Sequence, residues 1–359
     1  MLLQRFFKKR DNIYLANYPN ESFIIYFLLA IFFIAGIVLM YTAKGTGDEG
    51  DSLMHYLYAR HAYDMPQHFF NHWAKPVFVF VAAPFAQFGF NGMKLFNLII
   101  STVTLFLTYK TALRLQIPNA WFGPLCMAFA PWMMVVTLSG LTEPLFAFWM
   151  ILGLHLLIKQ KTLTGTIWLS FLPFVRSEGL IVLCVVLLYL LFKKRFKLIP
   201  LLAIGHLVLS IAGYFYHKDF LWVFNKIPYA VLNSAYGKGH WLHYYQTLPE
   251  VIGKIIPWFL LLGLIYGLLK LIQRIFQRRQ TAISLEEIFL VYGLFLAYFI
   301  GHSAFWALGI FNSFGLSRVM IGILPLMGLI ASRGSELISN VFGQKMARFT
   351  LLASLLLVV

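Results

Sequence analysis

Long apolar stretches alternate with short polar or basic segments along almost the whole chain. The first stretch, residues 22–41, reads SFIIYFLLAIFFIAGIVLMY and is long enough to cross a bilayer as a retained helix. Further spans are predicted at 94–112, 120–137, 144–158, 163–175, 179–192, 198–216, 251–272, 286–308 and 318–332. A last span begins near residue 347, and because the sequence stops at Val359 we expect that span to be incomplete. The pattern predicts an all-α polytopic membrane protein with about 11 transmembrane helices.

Basic residues cluster in the short segments between the apolar stretches. Such clusters mark the cytoplasmic side of a membrane protein, and the predicted spans put every cluster on one side. The clusters are Lys110 and Arg114, Lys159 and Lys161, KKRFK at 193–197, RIFQRR at 274–279, and Arg333 with Lys345 and Arg348. Residues 5–10, before the first span, are also rich in Lys and Arg, so we expect a cytoplasmic N-terminus.

The segment 76–90 fits this arrangement only if it does not cross the membrane. It is short and contains two prolines, so we predict an interfacial or re-entrant helix on the outer face. The outer face then carries two long loops, 42–93 and 217–250. We predict one membrane-embedded domain, 1–359, with any chemistry at the outer face.

Composition removes other classes of protein. With 60% hydrophobic and 12% charged residues, and a mean hydropathy of +0.77, the chain is not a water-soluble domain. The net charge of +16 comes largely from the cytoplasmic clusters, so it does not indicate a nucleic-acid partner. Cys126 and Cys184 both lie in apolar stretches, so we expect no disulfide framework.

The first outer loop begins with GDEGD at 47–51, directly after the first span. Carboxylates beside a membrane boundary are costly to desolvate and are suited to act as general bases. If a helix starts after residue 47, Asp48, Asp51 and His55 share one face. Glu49 would then point elsewhere. The same residues also suit a helix N-terminus with Asp48 as its cap, and both interpretations stay open.

The same loop contains three residues at four-residue spacing, Asp64, His68 and His72. This spacing could hold a divalent metal, but Pro66 interrupts a continuous helix, so no metal cofactor is expected and these residues are the weaker alternative. Lys75, farther along, could contact an anionic headgroup or extend to the membrane surface.

Isolated charges between later apolar stretches are further candidates. Arg176 and Glu178 lie between two short spans, where ionisable groups are usually functional or paired with each other. Glu143 in SGLTEP has the same two interpretations, with capping of a helix start as the competitor. Arg318 could hold a phosphate or anchor a helix end. The aromatic loop 217–250, which contains His240, suits sugar binding or a membrane-interface belt.

Several of these motifs, in this order, resemble the GT-C class of membrane glycosyltransferases. They are the acidic pair after the first span, W-x-K-P at 73–76, FGFNG at 88–92, SGLTEPLFAFW at 139–149 and LPFVRSEGL at 172–180. The likeness is to the branch that uses lipid-linked sugars, which includes protein O-mannosyltransferases and the aminoarabinose transferases of lipid A. It covers about residues 20–185, and the remainder is similar in topology only.

The resemblance implies an outer-face active site, a polyprenyl-phosphate sugar donor and a glycan, lipid or protein acceptor. Its first-loop acid, the catalytic base, corresponds to Asp48, with Glu49 beside it. The candidates for holding the donor phosphate are, in falling order, Arg176, Lys75, Arg318 and His240. The supporting residues are Asp51, Glu143, Glu178 and His55. The expected location is the cell (inner) membrane, or the endoplasmic reticulum in a eukaryote.

A secondary transporter and a lipid flippase are the alternatives. Transporters carry charges at the bilayer midplane and repeated halves, whereas this sequence has no visible repeat and its acidic cluster lies in a loop. A deep cavity joining residues 48–51 to residue 176 would favour the transferase. A path open alternately to both faces would favour transport.

Overall fold

The computed structural model describes residues 19–48, 50–231, 233–277 and 283–342. All regular secondary structure in these residues is helical. The helices are α1 (Pro19–Thr42), α2 (Asp51–Arg60), α3 (Pro76–Ala86), α4 (Gly89–Arg114), α5 (Phe122–Ala128), α6 (Pro131–Thr137), α7 (Glu143–Ile158), α8 (Thr162–Ser170), α9 (Gly179–Phe192), α10 (Ile204–His217), α11 (Trp222–Asn225), α12 (His243–Ile252), α13 (Ile256–Gln277), α14 (Leu285–Leu308) and α15 (Leu324–Phe342). Residues Ser317–Ile323 form a 3₁₀ helix that leads into α15, and Ile288–Gly293 form a π-helical segment within α14.

Six helical segments of the described residues are long and apolar enough to cross a membrane. They are Ser22–Thr42, Gly89–Arg114, Phe196–His217, Ile256–Phe276, Leu285–Leu308 and Ser317–Ser339. Other predicted spans appear as shorter apolar helices, among them Glu143–Ile158 and Gly179–Phe192. The all-helical class of the described residues, and several helices long and apolar enough to cross a membrane, therefore follow from the hydropathy pattern as expected.

Two predicted spans are interrupted in the structure. Residues 120–137 form two short helices, α5 and α6, because Ala130 is extended and Pro131 begins the second helix. The stretch 251–272 is also broken, since Gly253 has a φ of 83° and α13 begins only at Ile256. Average hydropathy is insensitive to both breaks.

The span predicted at 318–332 extends farther, because α15 continues to Phe342. Arg333, expected in a basic turn, is instead buried within this helix. Its Nε donates to Glu287 Oε1 at 2.8 Å and its Nη1 to Glu336 Oε2 at 2.8 Å. Lys345, Arg348 and the last predicted span lie outside the described residues.

Helix α15 packs closely against α13, with glycines at the contact. A Cβ atom on Gly263 would clash with the carbonyl oxygen of Ile330, and one on Gly334 would clash with that of Phe259. Small residues let two helix backbones approach in this way. The segment that contains α15 is the most buried of the six candidate spans, so it lies at the centre of the bundle.

Side-chain contacts define two ends of the bundle. At one end, Asn97 near the start of α4 donates to the carbonyl of Ser139, which lies shortly before α7. At the other end, Thr111 contacts His155 near the ends of α4 and α7 at 3.0 Å. The basic turns after α4, α7 and α9 lie at this second end, which we call the basic end.

The buried pair of Glu287 and Arg333 yields a stability prediction. Glu287→Ala leaves a fully buried guanidinium without one of its partners, so the free energy of unfolding should fall by about 3–5 kcal/mol. The neighbouring Glu286 is partly exposed and pairs with Lys193, so Glu286→Ala should cost about 1 kcal/mol or less. Unfolding of the purified protein in denaturing detergent measures both. Equal losses of unfolding free energy in the two variants would contradict the larger contribution expected from the buried pair of Glu287 and Arg333.

Candidate functional site

A cavity of about 660 Å³ opens at the end of the bundle opposite the basic end. It lies where α1 ends and where α7, α9 and the Ser317–Ile323 helix begin. Its acidic, basic and histidine lining residues come from distant parts of the chain: Asp48, Asp51, His55, Lys75, Arg176, Glu178, His302 and Arg318. Seven of these eight are residues that the sequence singled out.

Asp48 lies at the start of α2, which begins at Asp51 and not after residue 47 as predicted. Its Oδ1 accepts hydrogen bonds from the backbone N–H groups of Gly50 and Asp51, each at 3.0 Å. Gly50, not Asp48, is the N-cap residue of α2, so the predicted capping position is wrong, although the Asp48 side chain binds two N–H groups at the helix start. Its second oxygen, Oδ2, pairs with Arg318. Glu49 lies outside the described residues.

Arg318 connects the first loop to the centre of the bundle. It is buried, and its guanidinium contacts the carboxylates of both Asp48 and Asp51. The third nitrogen of the Arg318 guanidinium, Nε, lies 3.3 Å from Oε1 of Glu143. A planar guanidinium with five donors can meet several carboxylates in this way, whereas an ammonium group cannot reproduce the geometry.

Glu143 is shared by two arginines. It is 0% exposed, and the same Oε1 lies 2.9 Å from Nη1 of Arg176. Arg176 also contacts Oε1 of Glu178 through Nη2 at 2.7 Å and Oγ1 of Thr142 through Nη1 at 2.9 Å. The predicted pairing of Arg176 with Glu178 is therefore confirmed. It belongs to a longer series that we call the charge chain: Asp48 and Asp51, then Arg318, Glu143, Arg176 and Glu178.

Lys75 stands apart from the charge chain. Its Nζ donates to Oγ of Ser177 at 2.8 Å and lies 5.0 Å from the centre of the Tyr229 ring. Among the described residues, no carboxylate forms an ion pair with it. Burial, together with the charge of Arg176, lowers the pKa of Lys75 from 10.5 to about 7, and Glu178 only partly opposes this change. Lys75 also has a φ of 68°, a strained conformation of a kind that clusters at functional sites.

His55 lies one turn after Asp51 and also lines the cavity. Its ring stacks on Trp73 with 4.7 Å between centroids. Burial lowers the pKa of His55 to about 3, and the charges of Arg176 and Lys75 add to that effect. The imidazole is therefore neutral at ordinary pH, and its buried Nδ1 has no hydrogen-bond partner in the described part of the chain.

The cavity also contains residues that sequence reasoning missed. Tyr229, Tyr236 and Tyr244 come from the loop 217–250, whose aromatic content was noted without any one ring being singled out. His302 lies within the apolar helix α14 and was not singled out at all. The signal that could have identified His302 is a titratable side chain inside a predicted membrane span.

Other candidate residues do not reach this cavity. His240 is exposed, does not line the cavity, and has its ring 6.0 Å from that of His243, so the structure does not bring it to the other phosphate candidates and its phosphate role stays a prediction. Asp64, His68 and His72 do not converge on one point either. Asp64 is exposed, His68 packs edge-on against Tyr58, and Nε2 of His72 bonds to the carbonyl of Val223. No group of three or more His, Cys, Asp or Glu side chains in the described ranges could hold a metal ion.

In the residues that the structure describes, the fold is all-helical, with six helices long and apolar enough to cross a membrane and a charged cavity at one end. Comparisons with protein-family models, with curated proteins and with solved structures find no match for the chain. The chemistry of the cavity therefore carries the functional interpretation.

The charge chain predicts energetic coupling between Arg318 and Asp48. Arg318→Met removes the counter-charge of the half-buried Asp48 and the more exposed Asp51, so it should destabilise the protein by about 1–3 kcal/mol. Adding Asp48→Asn removes one of the carboxylate charges that repel each other once Arg318 is gone. The double variant should therefore show a coupling energy between the two positions of about 1–3 kcal/mol. Arg60 bonds to Gln87 instead of to a carboxylate, so Arg60→Met with Asp48→Asn should be additive. Additive losses for the Arg318 pair in detergent unfolding would contradict the coupling.

Proposed function

We propose that the chain is a GT-C-like membrane glycosyltransferase. It moves a sugar, of the hexosyl or mannosyl kind, from a polyprenyl-phosphate donor to an acceptor hydroxyl at the outer face. The observation that carries this proposal is the cavity, which joins residues 48–51 to Arg176 and includes Lys75 and Arg318. A cavity of this size, with convergent charged groups, supports an enzyme site over a transporter or flippase.

The topology that we propose has about 11 transmembrane helices, including the shorter apolar helices and the last predicted span. The basic end faces the cytoplasm, and the cavity faces the opposite side of the cell (inner) membrane. Support comes from α7 and α9, which begin near the cavity and end at Lys159 and Lys193.

We assign the donor phosphate first to Lys75, ahead of Arg176 and Arg318. The two arginines are already matched by carboxylates, whereas Lys75 is held by a neutral hydroxyl. A phosphate beside Lys75 would also lie near the Ser177 hydroxyl and the Tyr229 ring. Binding an anion there supplies the counter-charge that this buried ammonium lacks.

We assign the base to Asp48. The acceptor hydroxyl attacks the anomeric carbon of the sugar as the bond from that carbon to the phosphate oxygen breaks. The hydroxyl proton passes to the Asp48 carboxylate, and the lipid phosphate leaves with the bonding electrons. Attack opposite the leaving group inverts the anomeric configuration. Lys75 and Arg176 stabilise the charge that develops on the phosphate.

The Asp48 assignment makes a kinetic prediction. Asp48→Asn keeps the size of the side chain but removes the proton acceptor, so transfer should fall by about 100- to 10,000-fold. Transfer of label from radiolabelled polyprenyl-phosphate sugars in membranes measures it. Asp64 lies on the same loop but is exposed and outside the cavity, so Asp64→Asn should retain full activity. Full activity of a stably inserted Asp48→Asn protein would refute the assignment.

The Lys75 assignment makes a pH prediction. Because the pKa of Lys75 in the free protein is lowered to about 7, the ammonium form is lost as the pH rises above that value. A phosphate needs that form, so farnesyl phosphate should bind on the order of tenfold more weakly at pH 9 than at pH 7. Fluorescence of the cavity residue Trp73 and the other tryptophans reports binding.

Lys75→Met should bind farnesyl phosphate weakly at both pH values, without the pH dependence. Lys94→Met is the matched control, because Lys94 is also buried but bonds to the carbonyl of Ala43 and does not line the cavity. Equal pH dependence in the wild type and in Lys75→Met would contradict the assignment.

A further inference from the structure

One wall of the cavity differs in chemistry from the charge chain. It is formed by Tyr236, Tyr244, His302, Phe305 and residues 311–315, and we call it the neutral wall. None of these residues is Asp, Glu, Lys or Arg. The same cavity thus presents charged groups on one part of its lining and aromatic rings with neutral polar groups on another.

Two chain segments that are far apart in sequence build the neutral wall. Backbone hydrogen bonds join them: Ser234 N–H donates to the Gly309 carbonyl at 2.7 Å, and Phe311 N–H donates to the Val231 carbonyl at 2.8 Å. Phe311 and Asn312 have φ values of 58° and 48°. Two consecutive non-glycine residues in the left-handed region persist only when the surrounding structure imposes them, and such strain clusters at binding sites.

His302 gives the neutral wall its unsatisfied polar group. The side chain is 6% exposed, and its Nε2 has no hydrogen-bond partner among the described residues. Its ring lies 4.5 Å from that of Tyr298 and 5.9 Å from that of Tyr244. A buried imidazole nitrogen without a partner is unfavourable, so a turn of the ring that brings this nitrogen to a ligand hydroxyl in the cavity would be stabilising.

We propose that the neutral wall binds a sugar ring of the acceptor, so that the acceptor is a carbohydrate. This inference rests on the proposed transferase function. A sugar offers apolar C–H faces to aromatic rings and hydroxyl groups to His302. A hydrocarbon tail would cover the rings but leave His302 Nε2 unpaired.

The test measures sugar binding apart from transfer. The full chain in lipid nanodiscs is titrated with the methyl glycosides of glucose, mannose and galactose, and binding is followed by saturation-transfer NMR. At least one glycoside should bind, and His302→Ala should weaken that binding about fivefold or more. His302→Gln keeps a hydrogen-bonding group and should recover part of the affinity.

Ser303 supplies the matched control. It is the next residue of α14, it is buried, and its Oγ also has no partner within the described ranges, but it does not line the cavity. Ser303→Ala should therefore leave glycoside binding unchanged. Gel filtration and thermal unfolding of His302→Ala and Ser303→Ala show whether each variant is still folded. Weaker glycoside binding by a folded variant then reports the loss of a contact to the sugar.

Three results would overturn the inference. The first is equal glycoside binding by wild type and His302→Ala, and the second is no binding of any glycoside by wild type at about 50 mM. The third is an equal loss of farnesyl phosphate affinity in His302→Ala, which would assign the wall to the donor tail. Failure of the transferase proposal is distinguishable, because glycoside binding would then still depend on His302 while no polyprenyl-phosphate sugar is consumed.

Discussion

A single buried carboxylate, Glu143, holds the buried Arg318 and the half-buried Arg176 in place, and the cavity depends on that contact. Arg318 brings the first loop and the start of the last described span to Glu143, and Arg176 brings the turn before α9. Burying any one of these charges alone would cost several kcal/mol, so they are stable only as a connected set. The short helix α7, which begins at Glu143, therefore determines where four distant segments meet.

The charge chain also decides which cation is available to a ligand. Read from sequence, Arg176 is the most prominent charge near the membrane, yet it is engaged by Glu143 and Glu178. Lys75 is less conspicuous, and because it is buried without an ion pair to any carboxylate that the structure describes, a phosphate would stabilise its ammonium form. The neutral wall complements this arrangement, because it offers hydrogen bonds and aromatic faces where no charge is placed. An anionic donor and a neutral acceptor can thus be recognised by different parts of one cavity.

Hydropathy and isolated charges predict much of this structure, and the missing parts have physical causes. α7 and α9 were predicted to within a residue because charged or proline-containing turns bound their apolar runs. The break at Ala130 was missed because averaged hydropathy does not register backbone conformation. The members of the charge chain were identified, but their pairing was not, since Arg318 and Asp51 are 267 residues apart in sequence. His302 was missed because a lone histidine in an apolar helix usually belongs to the core.

A cryo-EM structure of the chain in nanodiscs, with a polyprenyl-phosphate sugar that cannot be transferred, tests the central claim most directly. The account predicts the phosphate within hydrogen-bond distance of Lys75 Nζ and the anomeric carbon facing Asp48. It also predicts that Glu143 remains between Arg176 and Arg318. A phosphate bound at the basic end, or a cavity left empty at saturating ligand, would contradict it.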